Sequence, residues 1–318
     1  MSRTRAAGAF VGVLGAGASA LIGLRYRRDL RRARERVASG SRLVDTPRGK
    51  IECGGAGEGP PVLVVHGAGG GFDQGLEFAA PLAGGGFRVV AMSRFGYLRT
   101  PLPADGSAAA QADAHAALLD ALEIPRVSVV GASAGSPSSV QFALRHPDRT
   151  AALVLMVPAL YPMRGAPKER SATAGLILDT ALRSDFLFWS ASRVARGAMV
   201  QTVLGTPASI FETASAQERA RLERVLEHVQ PVSRRRLGLL NDAAVLGALP
   251  RYELERIAAP ALVVGLEDCQ YGTYAAARYS AEHIPGARFV SYPQGGHLWA
   301  GHQGEVMAEV AAFLRKAA

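Results

Sequence analysis

The chain has 318 residues, 48% of them apolar, and a net charge of +9. That allows one large domain, or one domain with an insertion, and ample apolar surface for a core. Two cysteines, Cys53 and Cys269, exclude a disulfide scaffold. The charge is local: residues 1–36 hold nine arginines against Asp29 and Glu35. The remainder is near neutral and offers no basic face for nucleic acid. Ala6–Leu24 carries no charge over 19 residues, about the length of a membrane span. Seven arginines follow it between positions 25 and 36, and positive charge resists translocation. The expectation is membrane association through residues 6–24, with the rest of the chain in the cytoplasm. Two alternatives stay open: a signal peptide cleaved at Ala18-Ser19-Ala20, with export, and a plain N-terminal helix on a cytoplasmic protein.

From residue 42 a βα rhythm sets in. Arg42–Thr46 and Lys50–Cys53 read as short strands joined by the turn Thr46-Pro-Arg-Gly49. Pro61–Val65 is a buried strand running into His66-Gly-Ala68-Gly69-Gly70-Gly71. Phe72–Ala83 reads as helix, Phe87–Met92 as strand, and Ser107 as the N-cap of a helix through Leu122. Val127–Val130 is the next strand, Val140–His146 a helix, and Ala152–Val157 another strand. Residues 163–249 show no strand run. Their apolar residues recur at helical spacing, as in Leu222, Val225, Leu226 and Val229. Ser215-x-x-Glu218 forms a capping box ahead of them, and Thr206-Pro207 starts another helix. Alternation resumes with Ala261–Gly265, Tyr274–Ile284, Arg288–Tyr292 and a last helix with the stripe Val306, Val310, Phe313 and Leu314. The fold class is therefore α/β: a mostly parallel central sheet flanked by helices, with a helical insertion. The division is 1–41 as an apolar segment and arginine-rich linker, 42–162 with 250–318 as the core, and 163–249 as the insertion.

The stretch Gly131-Ala-Ser133-Ala-Gly135 lies where a strand meets a helix. A serine on so sharp a turn has its hydroxyl pushed clear of the sheet, and the chain on either side passes so close that small residues are required two positions away. A parallel sheet gathers its loops at the C-terminal strand ends. Three more such loops carry chemistry: His66–Gly71 with exposed N–H groups, Gly265-Leu-Glu-Asp268, and Gly295-Gly-His297. Cys269 is read as packing. His302 is read as a local hydrogen-bonding or surface residue, His66 as a brace for its loop, and His115, His146, His228 and His283 as structural or solvated. No cluster has metal-ligand spacing, so no metal is expected.

These motifs, in the order Ser133, Asp268, His297, resemble the α/β-hydrolase superfamily of serine-nucleophile hydrolases. The resemblance spans residues 42–318 and implies that 163–249 is a helical cap. It implies Ser133 as nucleophile, His297 as general base, Asp268 as the group orienting His297, and an oxyanion hole from the N–H groups of Ala134 and of Ala68, with Gly69 as the alternative. It implies no cofactor, and a small, apolar ester, or a C–C bond beside a carbonyl, as substrate. Bulky cap residues (Phe186, Phe188, Trp189, Met199, Phe211) are read mainly as cap core. The contrasting reading is a catalytically silent binding protein of the same fold.

Overall fold

The computed structural model describes residues 2–162 and 182–317, with side chains from residue 19 onward. Part of the expected cap, residues 163–181, lies outside the described residues.

The N-terminal helix α1 (Ser2–Ala38) leads into eight strands. These are β1 (Arg42–Thr46), β2 (Gly49–Ala56), β3 (Pro61–Val65), β4 (Arg88–Met92), β5 (Val127–Ala132), β6 (Thr150–Met156), β7 (Ala261–Leu266) and β8 (Arg288–Tyr292). They form one sheet in the order β1-β2-β4-β3-β5-β6-β7-β8. The first two strands and the β2–β4 pairing are antiparallel, and every pairing from β4 to β8 is parallel. The central strands are mostly apolar runs rich in Val and Leu because both of their faces are buried. Leu63, Val65, Val129, Leu153 and Val263 pack on one side under α4 (Ala108–Ala121), α5 (Ser136–Arg145) and α11 (Thr273–His283). Val62, Val64, Val154, Leu262 and Val264 pack on the other under α2 (Phe72–Phe78), α3 (Ala80–Gly84) and α12 (Gln303–Ala317). Two details follow directly from sequence chemistry. Ser107 caps α4 by accepting the Ala110 N–H at 3.2 Å. The helix expected over 72–83 breaks at Ala79, because Pro81 has no N–H for a continuing turn and its ring clashes with the turn before.

The helices α6 (Asp185–Val194), α7 (Arg196–Leu204), α8 (Ala208–Thr213), α9 (Ala216–His228) and α10 (Arg236–Gly247) form a layer with its own core of Val200, Leu204, Phe211, Leu222 and Leu226. Ser215 caps α9 through the Glu218 N–H, whereas the Glu218 carboxylate pairs with Arg221 at 2.6 Å instead of closing the box. The layer sits over the C-terminal strand edge, held by ion pairs that burial makes expensive to break. Arg94, after β4, grips Asp242 of α10 through two hydrogen bonds of 2.6 and 2.7 Å, and the Tyr97 hydroxyl donates to the same carboxylate at 2.5 Å. Arg235, fully buried, pairs with Asp73 of α2 at 2.8 Å.

Arg36 of α1 reaches that same Asp73 at 3.1 Å. Ala33 and Val37 are buried, and Tyr26 sets its ring edge-on against Phe186 and Trp189. Trp189 and Arg193 both donate to Asp29, at 3.1 and 2.9 Å. The arginine-rich residues 25–36, expected as a linker, are thus helical and docked on this helical layer, and Phe186 and Trp189 face α1. Among the described residues no helix is long and apolar enough to cross a membrane. The side chains of residues 6–18, most of the expected span, lie outside the described residues.

Candidate active site

The site is built by four loops at the C-terminal edge of the sheet. Ser133 follows β5 with φ +48°, a left-handed conformation that side chains adopt at a cost and that marks a strained turn. The glycines on either side answer to close approach. A β-carbon on Gly135 would collide with the carbonyl oxygens of Val65 and His66, and one on Gly131 would overlap the Ser139 side chain. Ser133 is half-buried, and its hydroxyl makes no hydrogen bond among the described residues.

The loop after β3 lies against this turn. A β-carbon on Gly67 would stand 3.2 Å from the Ser133 β-carbon. His66 braces the loop: its Nε2 accepts the Arg94 N–H at 3.0 Å and its Nδ1 meets the Gly67 carbonyl at 2.7 Å. That pattern fixes a neutral imidazole protonated on Nδ1. Burial, then the Arg94 charge, hold its pKa well below the ordinary histidine range. The Gly69 N–H is committed to the Tyr97 hydroxyl at 3.2 Å. The N–H groups of Ala68 and Ala134 meet no acceptor among the described residues. Of the two alternatives for the loop donor, Gly69 is occupied and Ala68 is available.

His297 follows β8 and is buried. Its N–H donates at 3.2 Å to the carbonyl of Gly205, at the end of α7, which also accepts from the Gln270 N–H at 3.0 Å. The end of α7 therefore ties the two loops after β7 and β8 together. The Tyr271 ring meets the imidazole edge-on, with centroids 4.9 Å apart. Ser133 and His297 share the same sheet edge but make no direct hydrogen bond, a contact that in active sites often tightens only around bound substrate. His302 is half-buried, stacked on Tyr292 with its Nδ1 at 3.2 Å from Glu305.

Asp268 requires a correction. Its carboxylate makes no hydrogen bond to His297. Its two oxygens accept the backbone N–H groups of Gly295 and Gly296, at 3.1 and 2.8 Å. The atom beside His297 Nδ1 is Cys269 Sγ, at 3.2 Å. The turn after β7 decides this: the Cys269 N–H bonds back to the Leu266 carbonyl at 3.3 Å, so the chain reaches the imidazole one residue later than expected. Thr273 also donates to Cys269 Sγ, at 3.1 Å. Burial opposes the thiolate, but the His297 charge and the hydrogen bonds from His297 and Thr273 outweigh it and bring the thiol down to about 7. The signal available in the sequence was the run Cys269-Gln-Tyr-Gly-Thr273, which places a thiol directly after the acid. Among the described residues no group of side chains could hold a metal ion.

Comparison with known proteins fixes the family. A family model described as the alpha/beta hydrolase fold matches residues 60–299. The chain belongs to the α/β-hydrolase fold family. An α/β-hydrolase fold protein from Nakamurella multipartita is 30% identical, with a TM-score of 0.70 over 87% of this chain and 100% of that one. An uncharacterised hydrolase of Bacillus subtilis is 28% identical over 80% of this chain and 91% of its own length. A 2-hydroxy-6-oxononadienedioate/2-hydroxy-6-oxononatrienedioate hydrolase of Paraburkholderia xenovorans is 36% identical over 129 residues, 37% of this chain and 45% of that protein. The hydrolase fold anticipated from the motifs is thus the fold of this chain, and its relatives are hydrolases.

Proposed function

We propose that this hydrolase cleaves a small, apolar ester through an acyl-enzyme on Ser133. A serine hydroxyl attacks only when a base takes its proton, and His297 is the imidazole at the same sheet edge. The proton moves from Ser133 Oγ to His297 Nε2 as the carbonyl is attacked, and then to the leaving oxygen as the tetrahedral intermediate collapses. Water repeats the cycle on the acyl-enzyme. The oxyanion is received by the N–H groups of Ala68 and Ala134, preorganised dipoles that need no reorientation during reaction.

The observation that carries this reading is the backbone of Ser133. A left-handed serine, held between two glycines that other atoms crowd, with a hydroxyl used for nothing else among the described residues, is costly to keep for structure alone. The runner-up chemistry is cleavage of a C–C bond beside a carbonyl. It is favoured by the Paraburkholderia relative, whose named substrate carries a 6-oxo group and no ester. The test is hydrolysis of p-nitrophenyl butyrate by the protein and by Ser133→Ala. The expected result is turnover that the variant lacks, with an unchanged melting temperature. Equal turnover by the variant overturns the assignment.

A further inference from the structure

We propose that Cys269 is the positioning residue of His297: its sulfur takes the place beside Nδ1 that a carboxylate fills in a Ser-His-Asp arrangement. The inference rests on the serine-hydrolase reading above. A general-base imidazole needs a partner that holds Nδ1–H, so that Nε2 presents its lone pair to the serine, and that stabilises the imidazolium formed during attack. The geometry leaves Cys269 in that role. Its Sγ is 3.2 Å from Nδ1. The neighbouring carboxylate of Asp268 is turned to the N–H groups of Gly295 and Gly296. Glu267 is exposed, with the Tyr274 hydroxyl 3.4 Å away.

The surroundings are arranged around the sulfur. The Thr273 hydroxyl donates to it from the first residue of α11. Tyr271 closes over the imidazole, and α7 contributes the Gly205 carbonyl, which carries no titrating group. Of the titrating groups around the pair, Tyr271 meets the imidazole, whereas Asp268 and Glu267 precede Cys269 in its loop and are turned to Gly295, Gly296 and Tyr274. Tyr271 is pushed up to about 12 by burial and by the Cys269 charge, so it stays neutral. Two protons separate the inactive pair from the fully deprotonated one. The competent state is the second of these, a neutral imidazole that keeps its Nδ1–H, shared with a thiolate, and has Nε2 free. In the attack step the serine proton arrives on Nε2, and the resulting imidazolium faces a thiolate that accepts a hydrogen bond and takes no proton. The sulfur thus supplies the same negative charge as a carboxylate, at the longer distance a larger atom requires. A pair of this kind titrates jointly, so its midpoints belong to both residues.

The experiment compares Cys269→Ala, Cys269→Ser and Cys269→Asp with wild type in p-nitrophenyl butyrate hydrolysis across the pH range, resolving kcat from KM. Thermal melts and fluorophosphonate labelling run alongside. Cys269→Ala is expected to lower kcat by about 10²- to 10⁴-fold with little change in KM, by analogy with loss of a triad acid. Cys269→Ser is expected to stay at least about tenfold below wild type near neutral pH, because a hydroxyl does not ionise there. Cys269→Asp is expected to recover most of the loss. It is also expected to hold its kcat to lower pH than wild type, since a carboxylate remains charged where the thiolate is protonated. A packing role predicts the opposite order: alanine and serine tolerated, and aspartate the worst because it buries an unpaired charge. That order overturns the proposal. A second measurement does not depend on turnover or on how the Cys269 variants fold. Ultraviolet thiolate absorbance of Cys53→Ala protein should titrate near neutral pH and move up by about one unit or more on adding His297→Ala. A titration that ignores His297 overturns the pairing. Wild-type protein that neither hydrolyses the ester nor takes the fluorophosphonate overturns the serine-hydrolase reading itself. Wild type that does both while Cys269→Ala matches it overturns only this one.

Discussion

Gly205→Ala tests whether the end of α7 holds the histidine loop in place. Gly205 closes that helix at φ 57°, ψ 23°. A β-carbon there would stand 2.6 and 2.7 Å from two Tyr271 ring carbons and 3.1 Å from the His297 β-carbon. Two costs follow. The left-handed conformation disfavours an L-residue by about 1 kcal/mol. The collision adds about 1–3 kcal/mol, as overpacking does, because the Tyr271 ring is not free to swing: its hydroxyl bonds the Thr202 and Val203 carbonyls at 3.1 and 2.8 Å. Gly286 separates the two costs, having φ 68° and nothing within 4 Å of an added β-carbon. At roughly 1.5 °C per kcal/mol for a chain of this size, Gly286→Ala should lower the melting temperature by about 1–2 °C and Gly205→Ala by about 3–6 °C. Activity should divide them further. An imidazole displaced by about 1 Å loses on the order of 100-fold, so kcat/KM for p-nitrophenyl butyrate should fall at least about tenfold in Gly205→Ala and hardly change in Gly286→Ala. Equal melts and equal rates for the two variants would show that α7 does not position the loop.

His297→Ala should lose several orders of magnitude in kcat and His302→Ala little, as measured by ester hydrolysis; the reverse would make His302 the base. Asp268→Asn keeps one acceptor oxygen for two loop N–H groups, so the expected loss in kcat/KM is about tenfold, accompanied by a lower melting temperature. A loss as large as that of His297→Ala would make Asp268, not Cys269, the partner of the imidazole. His115, buried with its Nε2 3.1 Å from Ser138 Oγ, is brought down to about 3 by burial and by the Arg94 charge. The unfolded chain takes up this proton as pH falls through about 6.5 and the folded chain does not, so stability present above that pH is lost towards about 3, at ~1.4 kcal/mol per unit. Urea melts of His115→Gln should show a shallower decline across that window, and an unchanged slope would mean that His115 protonates in place.

Much of the core was legible because its rules are local. The central strands are short, mostly apolar runs rich in Val and Leu, which a sheet covered on both faces buries, and Ser107 and Pro81 mark helix ends by hydrogen-bond chemistry alone. The turn at Ser133 was legible for the same reason: small residues two positions either side of it report a crossing of chains. What the sequence hid depends on a turn or on distant partners. Asp268 satisfies the Gly265-x-x-Asp spacing, yet β7 runs on through Gly265 to Leu266, and the turn that follows swings Cys269 to the imidazole. A one-residue difference of this kind is set by backbone hydrogen bonds, not by residue type. The docking of α1 was hidden likewise. Arg36 meets Asp73, and Asp29 meets Trp189 and Arg193, across separations of 37 to 164 residues. In sequence those arginines are a charge run, and only the fold supplies the acids that face some of them.

The nucleophile itself is open to direct observation. Full-length protein incubated with a fluorophosphonate, digested and mapped by mass spectrometry should carry a single phosphonyl adduct, on the peptide containing Ser133. Ser133→Ala should carry none, and His297→Ala should label far more slowly. An adduct on another serine, or full labelling of Ser133→Ala, would contradict a nucleophile at the β5 turn.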